Sequence, residues 1–373
     1  MEGKKLRICV INNTGEENPS YVVRNKIVAD KLREMGHEIF CQVAGFPKDL
    51  DIDAYDCFLF NRFYQGSLLP EIQALKEFGK VILYETDDNY EGIDQSHPFH
   101  KMRDDAVLSS RELVKNCDGV IVSTPELKNE LHGLSNGKEC IVIPNSLDLA
   151  TYRKRKGKNK RLRIGWQGSN IHSTDLLLVM DAVADLQKEF DFDFYIFGID
   201  DNPLKKLYKF VTEEYKDNYQ WTADFKKLYE KLQTMKYTHI KTVPYEKYRR
   251  ALSDLNLDIG LVPLVDSRFN RSKSCLKFYE YAAVGTVSLA SNVIPYNQEM
   301  AAEDLVKNRY KDWYRKLKRL IEDESYRAQR LYEQEAWVNE HRDLDKVKLI
   351  WEETFNNLIN KAHENGIDRT VRI

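Results

Sequence analysis

Residues Ser272, Lys273, Ser274, Lys277 and Glu280 bring hydroxyls, cations and one carboxylate together within nine positions of the chain. If a helix begins near the first of these serines, Lys273, Lys277 and Glu280 fall at i, i+4 and i+7 on one face. A phosphate is favoured at such a helix start by the free N–H groups and the dipole, and the lysine and serine side chains add donors. Glu280 would lie roughly 10 Å further along the axis, at 1.5 Å per residue, which suits the two hydroxyls of a ribose. The alternative is a capped surface helix with a Lys277–Glu280 ion pair.

A second candidate loop is WQGSNIHSTD, residues 166–175, in which Gly168 and Ser169 precede a helical segment. Glycine at this place allows a pyrophosphate to approach the backbone closely. The pattern is not GxGxxG, and the next strand, FDFYIFG, ends in glycine where a nicotinamide site would carry an acidic residue. The sequence therefore argues against a dinucleotide-dependent dehydrogenase.

Two adjacent carboxylates, Asp87 and Asp88, follow the strand-length run VILYE after one threonine. They could orient a hydroxyl of a sugar or an acceptor, bind a divalent cation beside phosphates, or cap the next segment. His97, His100 and His172 lie in candidate loops, but their spacing does not predict a metal site. The three interpretations of the aspartates remain open, and no metal is predicted from the histidines.

The composition predicts a soluble globular protein of two domains, because 373 residues exceed one ordinary core. Hydrophobic residues make up 42 % and charged residues 31 % of the chain. No apolar run approaches the roughly 20 residues of a membrane span, and the first apolar run is too short for a secretory signal. Six cysteines without CxxC spacing are predicted to be buried free thiols. We expect a cytoplasmic protein, monomeric or homodimeric.

The net charge of −2 gives the chain no general attraction to nucleic acid, but one segment is strongly basic. In RKRKGKNKRLR, residues 153–163, eight of eleven residues are Lys or Arg. A solvated linker between domains is one interpretation, and a patch for an anionic partner is the other.

Hydrophobic periodicity predicts an α/β protein with two doubly wound, Rossmann-like domains that face each other across a cleft. In residues 1–152, strand-length apolar runs alternate with helical segments, which indicates a parallel sheet covered on both faces. The same alternation restarts after the linker and fills residues 164–340. Residues 341–373 predict a terminal helix that returns to the first domain.

Two further segments of the second half carry predictions of their own. Residues 200–237 are rich in Lys, Tyr and Glu and predict two amphipathic surface helices. From about Asp304 onward the pattern predicts helices without another strand. Because ligands of doubly wound sheets bind beyond the carboxyl ends of the strands, we expect the site in the cleft between the domains.

The ordered set ETDD, PNSLD, IGWQGSNIHSTDL, VPYEKY and FNRSKSCLKFYEYAAVG resembles the group 1 nucleotide-sugar glycosyltransferases of the retaining family 4, which have the GT-B fold. The resemblance covers nearly the whole chain. It implies a nucleoside-diphosphate sugar as donor, UDP- or GDP-linked, with no further cofactor and no metal. It also implies an acceptor hydroxyl on a glycan or a protein, approached from the first domain, and retention of configuration.

The resemblance assigns roles to individual residues. Glu280 matches the ribose-binding glutamate, Lys273 and Ser274 match the diphosphate loop, and Pro244 and Tyr245 would lie near the base. The predicted donor site comprises Gly168, Ser169, His172, Pro244, Tyr245, Asn270, Ser272, Lys273, Ser274, Lys277 and Glu280. The predicted acceptor site comprises Asn13, Gly15 and Asp88, and the predicted catalytic residues are Asp87, Asp88 and Lys273.

Two departures from the family pattern carry expectations. Ser272 stands eight positions before Glu280, where the family often has a second glutamate that contacts the donor sugar. The glycine-rich segment that normally follows TVSLAS is also absent, which suggests that the second domain has lost a strand.

Other classes of function compete with glycosyl transfer to a glycan or protein. Transfer to modified DNA is supported only by the basic segment, and its affinity would fall steeply with salt. A nucleotide-sugar epimerase or hydrolase of the same fold would need no acceptor. A non-enzymatic scaffold is disfavoured, since no structural role requires Lys273, Ser274 and Glu280 together.

Overall fold

The computed structural model describes residues 5–43, 45–47, 49–63, 67–95, 97–135, 137–154, 157–199 and 219–364. Within them lie two parallel six-stranded sheets. The first sheet has the order β2-β1-β3-β4-β5-β6 and consists of β1 (Arg7–Asn12), β2 (Glu38–Gln42), β3 (Cys57–Asn61), β4 (Val81–Thr86), β5 (Gly119–Val122) and β6 (Glu139–Val142). The second has the order β12-β11-β10-β7-β8-β9 and consists of β7 (Leu162–Gln167), β8 (Phe192–Phe197), β9 (Thr238–Ile240), β10 (Ile259–Val262), β11 (Val287–Ser291) and β12 (Leu305–Val306).

The helices connect the strands and cover both faces of each sheet. In the first domain, which carries the first sheet, they are α1 (Pro19–Tyr21), a π-helical segment (Val22–Lys26), α2 (Ile27–Glu34), α3 (Leu69–Glu77), α4 (Arg103–Asn116) and α5 (Pro125–His132). In the second domain they are α6 (Leu177–Glu189), α7 (Tyr219–Leu232), α8 (Tyr245–Leu255), α9 (Arg268–Arg271), α10 (Leu276–Ala283), α11 (Tyr296–Glu299), α12 (Tyr310–Glu322) and α13 (Glu324–His341). The terminal helix is α14 (Leu344–Glu364).

Local sequence signals explain several of these boundaries. At the start of α5 the Thr124 hydroxyl accepts from the Leu127 N–H at 3.2 Å, and Pro125 occupies the first turn, where a missing N–H does no harm. After α2, Gly36 adopts φ +93°, a conformation that lets a helix end and the chain turn into β2.

The terminal helix α14 packs on the first sheet. Trp351 and Phe355 are buried in one hydrophobic cluster with Ile8 and Val81, which belong to β1 and β4. The predicted return of the terminal helix to the first domain is therefore confirmed, as is the α/β architecture of two doubly wound domains.

Two predictions about the second half are wrong, and a third is tested in part. The sheet has not lost a strand and the chain is not purely helical after Asp304, because β12 pairs with β11 through Leu305 and Val306. A strand of two residues, such as β12, is too short to produce a recognisable hydrophobic period in the sequence. Of the segment 200–237, α7 is helical as predicted, and residues 200–218 lie outside the described part of the chain.

All six cysteines are free, and five of them are buried as predicted, whereas Cys41 is only half-buried. Among the described helices, none has both the length and the apolar character needed to cross a membrane.

Candidate functional site

The serine turn, residues 272–274, lies between α9 and α10 and is not the start of a helix. The helix that carries Glu280 begins only at Leu276, so the prediction of a helix start near Ser272 is wrong. Lys273 therefore does not share a helical face with Lys277 and Glu280. The physical reason is tertiary, because the polar groups of the turn bond to the first domain instead of continuing a helix.

Each residue of the serine turn contacts a loop that follows a strand of the first sheet. Asn89 Nδ2 donates to Ser272 Oγ at 3.0 Å, Lys273 Nζ lies 3.5 Å from Asp88 Oδ1, and Asn145 Nδ2 donates to Ser274 Oγ at 2.8 Å. The Thr124 hydroxyl also donates to the Ser272 carbonyl at 2.8 Å. The carboxyl ends of the two sheets thus face each other, where parallel sheets bind their ligands.

Ser272 is inside this contact and is only 1 % exposed. Its hydroxyl accepts a hydrogen bond from Asn89. Asn270, another predicted donor residue, donates through Nδ2 to the Val265 carbonyl at 2.9 Å and so closes its own loop. Both side chains are thus buried and hydrogen-bonded within the protein.

Glu280 lies on α10 and is 3 % exposed. Its Oε2 accepts from Tyr248 Oη at 2.8 Å and from Gln167 Nε2 at 3.1 Å. Burial raises the pKa of this carboxyl to about 7, although the two hydrogen bonds oppose the shift. The described residues show no ion pair between Lys277 and Glu280, so the simple surface-helix interpretation does not hold.

Lys277 extends over the Trp166 ring, with Nζ 5.2 Å from the ring centroid. Burial lowers the pKa of this ammonium to about 8, and the charge of Lys273 acts in the same direction. A Cβ on Gly168 would lie 2.6 Å from the Trp166 ring and 3.1 Å from Lys277 Nζ. The glycine therefore makes room for the cation beside the predicted glycine loop.

His172 lies in the 3₁₀ segment Asn170–Leu176 that follows β7, and Ser169 immediately precedes that segment. Ser169 is exposed, and its carbonyl accepts from the His172 N–H at 3.0 Å. His172 Nδ1 lies 3.0 Å from Asp175 Oδ2. Burial and the nearby charge of Lys277 lower the pKa of His172 to about 4, which keeps the ring neutral at pH 7.

Asp87 and Asp88 share a cation that sequence reasoning missed, namely Arg62 at the end of β3. The Arg62 guanidinium contacts Asp88 and lies 3.5 Å from Asp87 Oδ1. Burial alone would raise the pKa of Asp88, but Arg62 and then Lys273 overcome it and lower the pKa to about 2. The cap of the next helical turn is Asn89, so the capping interpretation of the two aspartates is wrong.

The position of Arg62 is unusual, because its φ is +51°, a conformation that a residue with a Cβ rarely adopts. Its N–H donates to the Glu85 carbonyl at 3.1 Å. Strained backbone of this kind concentrates at functional sites. Nothing in the sequence around LFNRF signals it.

A buried polar network lies where β1, β3 and β4 end. Arg24 Nε donates to Glu85 Oε1 at 2.6 Å, and the two side chains are 1 % and 0 % exposed. Asn61 donates to the other oxygen of Glu85, and Asn12 donates to Asn61 Oδ1. Burial raises the pKa of Glu85 although Arg24 opposes it. Sequence reasoning assigned no role to these four residues.

The remaining predicted residues lie around this framework. Pro244 is exposed, and Tyr245 begins α8 and stacks on Tyr248 with ring centroids 5.7 Å apart. Tyr248 is the residue that donates to Glu280, so the predicted base contacts adjoin the predicted ribose contact. Gly15 accepts from the Asn18 N–H at 3.0 Å in the loop after β1, and a Cβ on it would meet open space. Asn13 is half-buried in the same loop.

Cations of the basic linker contact carboxylates of the second domain. Among the described residues, three of these cations form ion pairs: Lys154 with Glu335, Lys158 with Glu324, and Arg161 with both Asp191 and Asp193. Residues 155 and 156 of this segment lie outside the described part. Within the described part, no cluster of three His, Cys, Asp or Glu side chains could hold a metal ion.

The chain matches no protein-family model and none of the curated proteins. Solved structures of two-domain glycosyltransferases nevertheless match it along almost its whole length. Sucrose-phosphate synthase from Thermosynechococcus elongatus has a TM-score of 0.67 at 12 % identity and covers 95 % of this chain and 100 % of its own. The likeness shows that this chain has their GT-B fold.

Two further matches were solved with nucleotides bound. Anabaena HepE in complex with UDP and glucose has a TM-score of 0.63 at 11 % identity, with 94 % of this chain and 99 % of that chain covered. An α-glucosyltransferase in complex with UDP-glucose and DNA containing an abasic site has a TM-score of 0.64 at 12 % identity, with 95 % and 99 % covered. At such low identity the fold is shared, and the activity does not follow from the likeness.

Proposed function

We propose that the chain is a glycosyltransferase that moves a sugar from a nucleoside-diphosphate sugar to an acceptor hydroxyl, with retention and without a metal. The observation that carries the proposal is the placement of the serine turn, Lys277 and buried Glu280 around the facing ends of two sheets. The fold is shared with proteins solved with UDP or UDP-glucose, which makes the same donor class the natural candidate.

The donor would lie along the second domain. Glu280 would accept from the ribose hydroxyls, and Pro244 and Tyr245 would contact a uracil or guanine base. Gly168, Ser169 and His172 would line the diphosphate together with Lys273, Ser274 and Lys277. In this proposal residues 164–340 form the donor domain and residues 1–152 form the acceptor domain, in which Asn13 and Gly15 would contact the acceptor.

The chemistry requires stabilisation of the negative charge that develops on the leaving diphosphate. The ammonium groups of Lys273 and Lys277 and the Ser274 hydroxyl can supply this without a metal ion, because fixed charges in a partly buried site act strongly. The bond from the anomeric carbon to the phosphate oxygen breaks as the acceptor oxygen attacks the same face. The departing phosphate oxygen takes the acceptor proton, so no Asp/Glu pair need act as in a glycosidase.

Asp88 is the candidate that orients an acceptor hydroxyl, because its low pKa keeps it ionised as a hydrogen-bond acceptor. Asp87 would help to hold the same arrangement through Arg62. Arg62 and Lys273 already neutralise the charges of Asp87 and Asp88, so these two carboxylates are poor candidates for ligands of a divalent cation.

A glycan or protein acceptor is favoured over DNA, although one structural neighbour was solved with DNA. The only sequence hint of nucleic-acid binding is the basic linker, and three of its cations contact carboxylates. A salt titration of any DNA binding tests this choice, because loss of phosphate contacts gives a steep dependence on salt. A steep salt slope with DNA-dependent turnover would favour the DNA alternative.

The test of the donor site is a screen of nucleotides and nucleotide sugars for thermal stabilisation of the chain. A ligand at 100 times its Kd stabilises the folded state by about 2.7 kcal/mol. We expect a rise in Tm with UDP or GDP and their sugars, and a smaller rise in Glu280→Ala. No response to any nucleotide would overturn the donor-site assignment. Release of free sugar or an epimer without an acceptor would favour the hydrolase or epimerase alternative.

A further inference from the structure

Asn145 connects the buried network of the first domain to the serine turn of the second. Its Oδ1 accepts from Arg24 Nη1 at 3.0 Å, and its Nδ2 donates to Ser274 Oγ at 2.8 Å. Arg24 is held in turn by Glu85 and by the Ile143 carbonyl, at 2.6 Å each. A continuous chain of bonds therefore runs from a buried ion pair to a residue of the predicted donor site.

The chemistry of the groups dictates the direction of each bond in this chain. A guanidinium has only donors, so the amide oxygen of Asn145 must face Arg24 and its N–H₂ must face Ser274. A serine hydroxyl has one proton and two acceptor positions. Asn145 donates to the Ser274 oxygen and so occupies one of the two acceptor positions of that hydroxyl. The hydroxyl therefore keeps its own proton available for a different acceptor.

We propose that Asn145, oriented by Arg24, is a positioning residue of the donor site that makes the Ser274 hydroxyl donate its proton to a phosphate oxygen of the ligand. This inference rests on the proposed function, because it assumes a diphosphate beside Ser274. An unoriented amide could present its oxygen to the hydroxyl and accept that proton. The hydroxyl would then turn its lone pairs toward the phosphate, which is repulsive.

The same logic applies at the other serine of the turn. Asn89 donates through Nδ2 to Ser272 Oγ, and its Oδ1 is occupied by the Gly92 N–H at 3.1 Å. Asn89 is thus also held in one orientation, with its N–H₂ toward a serine hydroxyl. Two asparagines of the first domain orient the two serines of the second, and of these Ser274 is the less buried.

Asn145→Asp is the decisive variant, because a carboxylate keeps the bond to Arg24 but also accepts the Ser274 proton. Its affinities for UDP and for uridine are measured by calorimetry, with GDP and guanosine as probes if the screen selects GDP. We expect UDP affinity to fall on the order of tenfold, the value of one hydrogen bond. Uridine affinity should stay unchanged, since uridine has no phosphate.

The double variant Asn145→Asp/Ser274→Ala separates this mechanism from simple repulsion by the new charge. If Asn145 acts through Ser274, the Asn145→Asp effect largely disappears when the hydroxyl is absent. Equal fold-changes in both backgrounds, or an equal loss of uridine affinity, would overturn the inference. If the wild-type chain binds UDP but this double-mutant cycle shows no coupling between Asn145 and Ser274, only this inference fails. If the wild-type chain binds no nucleotide, the proposed function fails as well.

Arg24→Lys tests the upstream part of the chain, and Arg330→Lys is its matched control. Arg330 is also a buried arginine, 5 % exposed, paired with the buried Asp304 at 2.7 Å, and its hydrogen bonds go to Asp304 and Glu333 of the second domain. We expect both variants to lower Tm and only Arg24→Lys to weaken UDP binding relative to uridine. An equal effect of both on UDP binding would show that Arg24 acts only through stability. If Arg24→Lys does not fold, the Asn145 cycle decides the question alone.

Discussion

Lys273 Nζ of the second domain lies 3.5 Å from Asp88 Oδ1 of the first, so an ion pair joins the two domains at the centre of the candidate site. On its other side Asp88 contacts Arg62, and Lys273 lies 4.4 Å from the centroid of the Phe269 ring. The cation predicted to bind the donor and the carboxylate predicted to orient the acceptor are therefore direct neighbours. Changes to either should affect both substrates.

Asp88→Ala tests the catalytic role of this pair. We expect kcat/KM for sugar transfer to fall by tenfold or more, on the order of the contribution of a positioned catalytic group. Asp312→Ala is the control, because Asp312 pairs with Arg309 on the surface of α12, outside the site. Full transfer activity in Asp88→Ala would show that the carboxylate does not orient a hydroxyl.

Glu280 predicts a pH dependence of the free energy of unfolding. Its pKa is raised by burial from 4.5 to about 7, so the folded state holds a proton that the unfolded state has released between these values. The stability contributed by this group is present below pH 4.5 and is lost as the pH rises to 7, by a few kcal/mol at 1.36 kcal/mol per pKa unit. Denaturant melts of wild type and Glu280→Gln across pH 4 to 8 isolate the effect. Parallel curves would contradict it.

For His97 we expect the free energy of unfolding to depend on pH in the opposite direction. Burial and then the charge of Lys273 lower its pKa from 6.5 to about 4, so the folded state disfavours the proton. Its contribution to stability is present above pH 6.5 and is lost as the pH falls toward 4. We expect His97→Gln to lose less stability than wild type over this range. The exposed His132, changed to Gln, serves as the control, and an equal acid sensitivity of both variants would contradict the prediction.

Gly92 predicts that the domain contact is intolerant of a methyl group. A Cβ at this position would lie 2.7 Å from the backbone N of Phe269. No side-chain rotation can relieve this clash, because the atom that is too close belongs to the backbone. We expect Gly92→Ala to lower the free energy of unfolding by about 1 to 3 kcal/mol, as overpacking does, and to weaken UDP binding by displacing the serine turn. Gly133→Ala, where a Cβ meets open space, is the matched control. Equal UDP affinity and stability in both variants would argue against a tight contact.

Arg268 tests whether the same contact depends on charge. Arg268 Nη2 and Nε lie 2.5 Å and 3.0 Å from the two oxygens of Glu130, which joins α9 to α5 across the domain boundary. Because Arg268 is largely exposed, we expect Arg268→Ala to lower stability by no more than about 1 kcal/mol, and less in high salt. Denaturant melts of both chains at low and high salt provide the measurement, and a large, salt-independent loss of stability would point to packing instead.

The sequence by itself determined the class of fold and most of the elements. Apolar runs such as FLF in β3 and VIV in β5 predict strands buried on both faces, and Thr124 with Pro125 marks a helix start. These signals are local, because burial on both faces and capping act within a few residues. The sequence likewise indicated that Lys277 and Glu280 lie one turn apart on a helix, and the structure has them on α10.

Only the tertiary structure decided which residues meet in the cleft. Ser272 was expected at a helix start facing the donor, but it is buried against Asn89. Arg62 had no role in the sequence analysis, and Asn145 appeared there only as part of the PNSLD motif, without a role of its own. Their partners are distant in the chain, and no periodicity encodes a bond between positions 145 and 274. Such a contact depends on how two sheets are oriented, which is the sum of many weak packing interactions rather than the property of any one segment.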